Sequence, residues 1–182
     1  MQVSPCCWCW RCRGSYHRDV NEDARRRSQR CTEVSIRIRA PRESAYRACL
    51  DPAAVALWRV PDTMSAYVHA FDAREGGSYR MSLVYQDSDH PVAGKTSEDT
   101  DAFQGTFVEL VPNERIVEVI EFESDDSSVA GRMTLTTSFA DADGGTQVTM
   151  VFEDVPAGIS LADNELGTRQ ALEQLASYLR DA

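Results

Sequence analysis

Lysine is almost missing from this 182-residue sequence, because Lys95 stands alone against 18 arginines. Together with abundant alanine, this bias fits a GC-rich coding sequence better than a selected chemistry. Long apolar runs are missing too, and none approaches the roughly 18 residues that a membrane span requires. The N-terminus has no apolar segment typical of a secretory signal. These absences predict a cytoplasmic protein without a membrane span.

Cysteine and positive charge are both scarce beyond residue 31. Residues 1–31 hold five of the six cysteines, and their seven arginines against three acids give a net charge of +4. The other 151 residues hold 12 basic and 26 acidic groups, a net charge of −14. Such an acidic surface repels phosphate backbones, which excludes nucleic acid as a partner. A secreted disulfide scaffold would spread its cysteines through the fold, so their distribution argues against one.

The stretch CCWCWRC near the N-terminus has the composition of a metal site. Cys9 and Cys12 could bind zinc with His17 and Cys31, but structural zinc sites use two close ligand pairs and the second pair is missing. Residues 1–31 also show no hydrophobic periodicity. We therefore expect no metal and no cofactor, and predict that this segment is a disordered N-terminal extension.

Regular hydrophobic patterns begin abruptly after that segment. Val34, Ile36 and Ile38 alternate with polar residues and predict a strand with one buried face. Two short helices follow, the second opened by Asp51 as N-cap and Pro52 at the first position. Three strand pairs come next, each joined by a turn sequence: REGG, VPNE and DADGG. A long amphipathic helix then closes the chain.

This order predicts one α+β domain over residues 32–182. It consists of a seven-stranded, mostly antiparallel curved sheet, two short helices after the first strand, and a long C-terminal helix over the sheet. A sheet that bends around a helix leaves a gap, and concave, mainly apolar gaps of this kind are where small ligands bind.

Five segments in this order also resemble a known group of proteins: APRESAYRACLDPAAVALW, FDAREGGSYRMSL, FVELVPNERIV, GGTQVTMVFEDVPAGI and GTRQALEQLA. They are similar to the SRPBCC (START-like, helix-grip) superfamily and, within it, to the branch named after the activator of the heat-shock protein 90 ATPase. The resemblance covers roughly residues 32–180. It implies a helix-grip fold whose deep cavity binds apolar or amphipathic small molecules.

The sequence departs from that family at two aromatic positions. Many relatives have two tryptophans after the second helix, where this chain has Trp58 followed by Arg59, and many have Gly-Trp in the last helix, where this chain has Gly167 and Thr168. The resemblance therefore implies a roomier or more polar pocket. The namesake co-chaperones carry a separate N-terminal domain with an Asn-rich tryptophan motif that nothing here matches, so chaperone activation is not inherited from the family name.

The predicted cavity wall consists of residues in phase along the strands, with three methionines that suit an adaptable site. Plain core packing is the competing interpretation for each position. The wall residues are Tyr79, Met81, Leu83, Phe107, Met133, Leu135, Met150 and Phe152.

Four further residues complete the predicted ligand site. Trp58 either roofs the cavity or fills the seam between helix and sheet. Asn164 and Thr168 continue the buried stripe of Leu172 toward the start of the last helix. Polar groups there either orient a ligand or lie in solvent beyond the sheet.

Three titratable residues lie on strands whose two faces are both apolar. Glu109 is in phase with Phe107, Glu118 is in phase with apolar residues of the next strand, and His69 lies between two aromatics. Any of them, if buried, could be an acid, a base or a ligand contact. We predict that all three face solvent, since exposed glutamates are the common case.

Three functions follow from these observations. The first is non-catalytic binding of a small apolar or amphipathic molecule between the sheet and the C-terminal helix. The second is a cavity enzyme such as a cyclase, dehydratase or hydrolase, which requires a buried titratable group. The third is a module that binds a chaperone or regulator, which requires an exposed apolar patch. The sequence leaves a homodimer open.

Overall fold

The computed structural model describes residues 30–87 and 94–181. The predicted disorder of residues 1–31 and the stretch CCWCWRC therefore fall outside the described residues, apart from Arg30 and Cys31. The described chain forms seven strands and three helices: β1 (Thr32–Ile38), α1 (Arg42–Leu50), α2 (Pro52–Trp58), β2 (Met64–Phe71), β3 (Ser78–Tyr85), β4 (Thr100–Val111), β5 (Arg115–Phe122), β6 (Arg132–Ala142), β7 (Gly145–Glu153) and α3 (Leu161–Asp181).

All seven strands belong to one antiparallel sheet in the order β1-β7-β6-β5-β4-β3-β2. Every neighbouring pair is consecutive in sequence except β1 and β7. Their pairing brings the first strand back beside the last and leaves β1 and β2 as the two edges. The sheet curls into a half-barrel. This confirms the predicted α+β helix-grip class.

The three predicted hairpin turns are confirmed, and each contains a residue with a left-handed backbone. Gly76, Asn113 and Gly144 have φ angles of 75°, 62° and 73°. Glycine and asparagine adopt that conformation at the lowest cost, which explains why the turn sequences contain them. The hairpins β2–β3, β4–β5 and β6–β7 follow directly from these turns.

The helices close the open side of the half-barrel. The carboxylate of Asp51 accepts a hydrogen bond of 2.9 Å from the Ala53 amide and caps α2, as predicted. At the start of α3, the hydroxyl of Ser160 accepts one of 3.3 Å from the Asp163 amide. Helix α3 packs along β1 and against α2, so it lies over one side of the sheet. Within the described ranges, no helix is long and apolar enough to cross a membrane.

Two β-bulges change which side chains face the interior. In β2 the pairing with β3 shifts between Val68 and Ala70, and in β4 the pairing with β5 shifts between Phe107 and Glu109. Each bulge inserts one extra residue, so the alternation of faces reverses beyond it. As a result, simple alternation in the sequence does not predict which side chains face the interior along the whole of β2 or β4.

Candidate functional site

A polar trio lies on the concave face of the sheet, in the middle of the apolar core. Arg59 directly follows α2, Tyr79 belongs to β3, and Glu118 belongs to the central part of β5. The Nη1 atom of Arg59 donates a hydrogen bond of 2.9 Å to Oε1 of Glu118, and Nη2 donates one of 3.1 Å to the Tyr79 hydroxyl. The Arg59 guanidinium carbon also lies 5.2 Å from the centre of the Tyr79 ring.

The ion pair of the trio is deeply buried. The side chain of Glu118 is 5% exposed and that of Arg59 is 13% exposed, whereas the other arginine–carboxylate pairs of the described chain are far more open. Removing two charges from water is expensive, and their attraction repays it only with good geometry and further hydrogen bonds. Tyr79 supplies such a bond. The trio is therefore a hydrogen-bonded polar network inside an apolar shell.

Burial determines the protonation of the neighbouring side chains. Burial raises the pKa of Tyr79 well above 10, against the opposing effect of the Arg59 charge, and a hydrogen bond with Glu118 raises it further. Burial also raises the pKa of the Cys49 thiol, and the nearby Glu118 carboxylate adds to this effect. At neutral pH, Tyr79 is a hydrogen-bonding phenol and Cys49 is a protonated thiol. A thiol in that state is a poor nucleophile.

A glycine in β4 provides the surface on which the Tyr79 ring rests. Tyr79 pairs with Gly105 across the β3–β4 ladder, and a Cβ atom at Gly105 would lie 2.2 Å from Cζ of Tyr79 and 2.4 Å from its hydroxyl oxygen. Only glycine leaves room for the ring at this distance. Because Gly105 has no side chain, the Tyr79 ring lies close to the backbone of β4, and this places its hydroxyl where it meets Arg59.

One nitrogen of Arg59 is open to water. A guanidinium has five N–H donors, and Glu118 and Tyr79 account for two of them. Every fully buried side-chain nitrogen or oxygen in the described structure has a hydrogen-bond partner. Because Nε of Arg59 has no partner among the described residues, it must reach a space that water can enter. An unoccupied donor therefore remains beside the trio.

The predicted wall residues surround the trio in one continuous core. Eight of the twelve residues of the predicted site are at most 4% exposed: Trp58, Tyr79, Met81, Phe107, Met133, Leu135, Met150 and Leu172. Leu83 and Phe152 are half-buried at the margin of the same core. The Trp58 indole donates a hydrogen bond of 2.9 Å to the Ala48 carbonyl, which ties α2 to α1 and fills the seam between them.

The two polar residues of α3 are bonded to the protein itself. The Thr168 hydroxyl donates a hydrogen bond of 2.6 Å to the Asn164 carbonyl one turn earlier. The Thr32 hydroxyl of β1 donates to the side-chain oxygen of Asn164 at 2.5 Å. Thr168 is buried and Asn164 is half-buried, so neither lies in solvent beyond the sheet. These bonds fasten the start of α3 to the edge strand.

A second charged pair lies at the end of the sheet near the start of α3. The Lys95 ammonium is 2.5 Å from Oδ2 of the buried Asp101 and 5.1 Å from the centre of the Phe122 ring. Burial raises the pKa of Tyr85, and the carboxylates of Asp101 and Asp163 raise it further. Lys95, Asp101, Tyr85, Phe122 and Asp163, which we call the rim, thus bring two carboxylates and one amine to this end of the interior.

An open groove of about 670 Å³ lies at the opposite end of α3. It contains none of the predicted site residues. Its lining residues are Arg39, Ala40, Pro41, Ser44, Arg47, Ala48, Leu50, Asp51, Tyr178 and Leu179. The groove is distinct from the trio, and we assign the candidate site to the trio because charged and aromatic groups converge there.

The prediction for Glu118 was wrong, whereas those for Glu109 and His69 are confirmed. Glu118 is buried because Arg59 meets it on the concave face. Glu109 lies beyond the β4 bulge on the outer face and pairs with Arg115 at 2.7 Å. His69 is exposed within the β2 bulge and bonds the Ser82 hydroxyl at 2.7 Å.

Arg59 belongs to the candidate site, and sequence reasoning did not name it. The only signal was its position, because it stands where many relatives carry a second tryptophan. Within the ranges that the structure covers, no group of three or more His, Cys, Asp and Glu side chains is arranged to hold a metal ion.

A half-barrel sheet closed by a long C-terminal helix, with a polar network in its apolar interior, defines the START-like helix-grip class, which is typical of ligand-binding domains. The family described as "Activator of Hsp90 ATPase homolog 1-like protein" matches residues 39–180. The chain therefore belongs to this family.

Solved structures from bacteria share this fold. A Chromobacterium violaceum protein is 34% identical, with a TM-score of 0.72, over 82% of this chain and 96% of its own. A structure from Arthrobacter aurescens is 14% identical, with a TM-score of 0.70, over 84% and 87% of the two chains. An AHSA1-like protein from Aeromonas hydrophila is 21% identical, with a TM-score of 0.60, over 82% and 93%. The last two show the fold alone. No curated protein matches the chain.

Proposed function

We propose that this protein binds a small apolar or amphipathic molecule between the sheet and α3, without catalysis. The observation that carries the proposal is the open Nε donor of Arg59, which lies beside a buried network in an otherwise apolar interior. Apolar sites with a few convergent polar groups are the usual form of small-molecule sites. The wall around it is the predicted set of aromatic and methionine side chains, together with Leu172 of α3.

Three methionines in the core support the same function. Helix α3 packs on β1 and α2, while α1 packs on β6 and β7 and α2 packs on β2. Met81, Met133 and Met150 belong to β3, β6 and β7 and lie in the buried core of the sheet. Unbranched methionine side chains adjust their shape at low cost, so they can make room for a ligand.

The test is native mass spectrometry of the full chain, purified gently from its own host. We expect an extra mass of one small molecule, which is lost when the protein is denatured. The purified protein should also bind N-phenyl-1-naphthylamine, an uncharged dye that fluoresces in apolar surroundings. A bare protein that also fails to bind the dye would contradict the proposal.

A matched pair of variants on α3 locates the binding. Thr168 is buried and Leu166 is 57% exposed on the same helix. Thr168→Trp restores a residue that many relatives carry and should weaken dye binding about tenfold by filling the interior. Leu166→Trp adds a larger side chain on the outside and should leave dye binding unchanged. Equal effects of both variants would argue that the dye binds elsewhere.

A cavity enzyme is the second candidate, because buried Glu118 provides the titratable group that this function requires. Its carboxylate is already bonded to Arg59, which favours a structural role over acid–base chemistry. Catalysis would appear as conversion of the bound molecule during incubation, and Glu118→Gln would abolish conversion while binding persists.

The exposed hydrophobic side chains of the described residues do not give similar support for a chaperone-binding surface. The large hydrophobic side chains that the described structure exposes are Leu57, Tyr67, Val108 and Leu166. They belong to four different elements, whereas a docking surface needs a contiguous apolar patch of several hundred Å².

A further inference from the structure

We propose that Arg59, Glu118 and Tyr79 bind an uncharged oxygen group of the ligand, such as that of an alcohol, ketone or ester, and reject carboxylates and amines. This inference rests on the proposed function, because it specifies the chemical class of the molecule bound in the interior. It depends on three properties of the trio: its charge balance, its free hydrogen-bonding groups and the charges at the rim.

The trio is already neutral. The positive charge of Arg59 is compensated by Glu118 at 2.9 Å, and burial keeps Tyr79 protonated. A carboxylate placed beside them would leave one net negative charge in the apolar interior, and an ammonium would leave one net positive charge. An uncompensated buried charge is far more costly than a buried neutral group with a hydrogen bond.

The trio has free hydrogen-bond donors. Two of the five N–H groups of Arg59 bond Glu118 and Tyr79, and Nε has no partner within the described residues and reaches a space that water can enter. Glu118 already accepts a hydrogen bond from Arg59. The site thus offers a donor to an oxygen acceptor, whereas an ammonium group would upset the charge balance of the trio.

The rim adds to the discrimination against anions. Lys95 is bonded to Asp101, so its charge is compensated, and the carboxylate of Asp163 acts on the same Tyr85 ring. A carboxylate ligand approaching from this end meets net negative charge, whereas an alcohol or ketone does not. Steering by such charges disfavours ligands of like sign.

The test uses the full chain with bound N-phenyl-1-naphthylamine and three competitors that share one alkyl chain: decanol, decanoate and decylammonium. All are kept at neutral pH and below their critical micelle concentrations. Decanol should displace the dye at a concentration at least about tenfold below either ion, because only the ions leave a buried charge uncompensated.

Glu118→Gln provides the discriminating variant. It removes one negative charge at nearly constant shape, so that Arg59 becomes available to a ligand carboxylate. The order should invert, with decanoate displacing the dye better than decanol. A poorly folded variant would lose binding and could not gain a preference for decanoate. Glu109→Gln makes the same change at the exposed pair with Arg115 and should keep the wild-type order.

The outcomes separate this inference from the function on which it rests. If the chain binds the dye and all three competitors displace it equally, or if Glu118→Gln leaves the order unchanged, the head-group assignment is overturned and ligand binding stands. If neither the dye nor any competitor binds, both are overturned.

Discussion

Glu109 and Glu118 lie on neighbouring strands and each bonds an arginine, yet only Glu118 is removed from water. The side chain of Glu109 is 41% exposed and that of Glu118 is 5% exposed. Their arginine distances are similar, at 2.7 and 2.9 Å. This pair of residues therefore separates the effect of burial from the effect of ion-pair geometry.

We expect Glu118→Ala to lower the free energy of unfolding by about 3–5 kcal/mol, because it leaves the Arg59 charge buried without its partner. Glu109→Ala should lower it by about 0.2–1 kcal/mol, since Arg115 stays in water. Urea unfolding followed by circular dichroism measures both values. Equal losses in the two variants would show that the Arg59–Glu118 pair is not buried in solution.

The wrong prediction for Glu118 has a physical cause. Strand β5 is apolar on both faces, so alternation alone does not decide which face is buried. The buried face is decided by Arg59, which lies 59 positions before Glu118 in the sequence and needs a carboxylate on the concave side. The exposure of Glu109 depends on the β4 bulge, because without the bulge its phase with Phe107 would turn it inward.

At the scale of elements, the β3–β4 ladder holds the aromatic part of the site. The Tyr79 ring packs at 5.3 Å from the ring of Phe107 and 5.7 Å from that of Phe71, while Gly105 lies beneath it. Phe71 reaches this cluster only because the β2 bulge turns it inward. The position of Tyr79 thus depends on its packing against β4 and on the bulge in β2, which turns Phe71 toward its ring.

We expect Gly105→Ala to destabilise the protein by about 1–3 kcal/mol, because the new methyl group overlaps the Tyr79 ring. The change should also move the Tyr79 hydroxyl away from Arg59 and weaken ligand binding. Gly167→Ala is the control, since Gly167 lies within α3 with nothing within 4 Å of a new Cβ atom. It should stabilise the protein by about 0.5–1 kcal/mol, as expected for alanine in a helix. Thermal melting that shifts both variants in the same direction would contradict this account.

The elements themselves were largely predictable from the sequence. Strict alternation and the turn residues Gly76, Asn113 and Gly144 fix three hairpins locally, and Asp51 with Pro52 fixes the start of α2. The bulges were not predictable, because an extra residue in a strand whose two faces are both apolar leaves no mark in the pattern.

At the scale of the whole molecule, the chain preceding β1 fastens the segment between β7 and α3. Arg30 donates through Nε to the Val155 carbonyl at 2.8 Å and through Nη2 to the carbonyls of Pro156 and Ile159. Its own carbonyl accepts from the Val155 amide at 3.1 Å. The contacts of the fold therefore include Arg30, which lies two residues before the predicted start of the domain.

We expect Arg30→Ala to speed amide hydrogen exchange in residues 154–160 and to lower the free energy of unfolding by about 1–2 kcal/mol, because three carbonyls lose a charged donor. Arg37→Ala removes an exposed arginine from β1 itself and should change neither quantity by more than about 0.5 kcal/mol. Hydrogen exchange with mass spectrometry reads out the segment directly. Unchanged exchange in the Arg30 variant would mean that the segment holds its position without this residue.

The fold as a whole was the most predictable property, and the candidate site the least. Hydrophobic patterns and turn chemistry are local, and together with the resemblance they determine a half-barrel closed by a helix. The trio, in contrast, joins α2, β3 and β5 through contacts that no single stretch of sequence contains. The sequence had named Tyr79 as a wall residue and Glu118 as a candidate if buried, but it did not predict that Arg59 joins them.

Because lysine is so scarce, the rim can be labelled selectively with amine-reactive reagents. Lys95 is the only lysine side chain of the protein, and it is held against Asp101 and over Phe122. The N-terminal amine has the lower pKa and can be acylated first near neutral pH. An amine-reactive fluorophore applied afterwards at higher pH then attaches at one known position near the start of α3. Since acylation needs the free amine, the labelling rate reports how often the pair with Asp101 opens. The attached dye then serves as a local sensor of ligand entry.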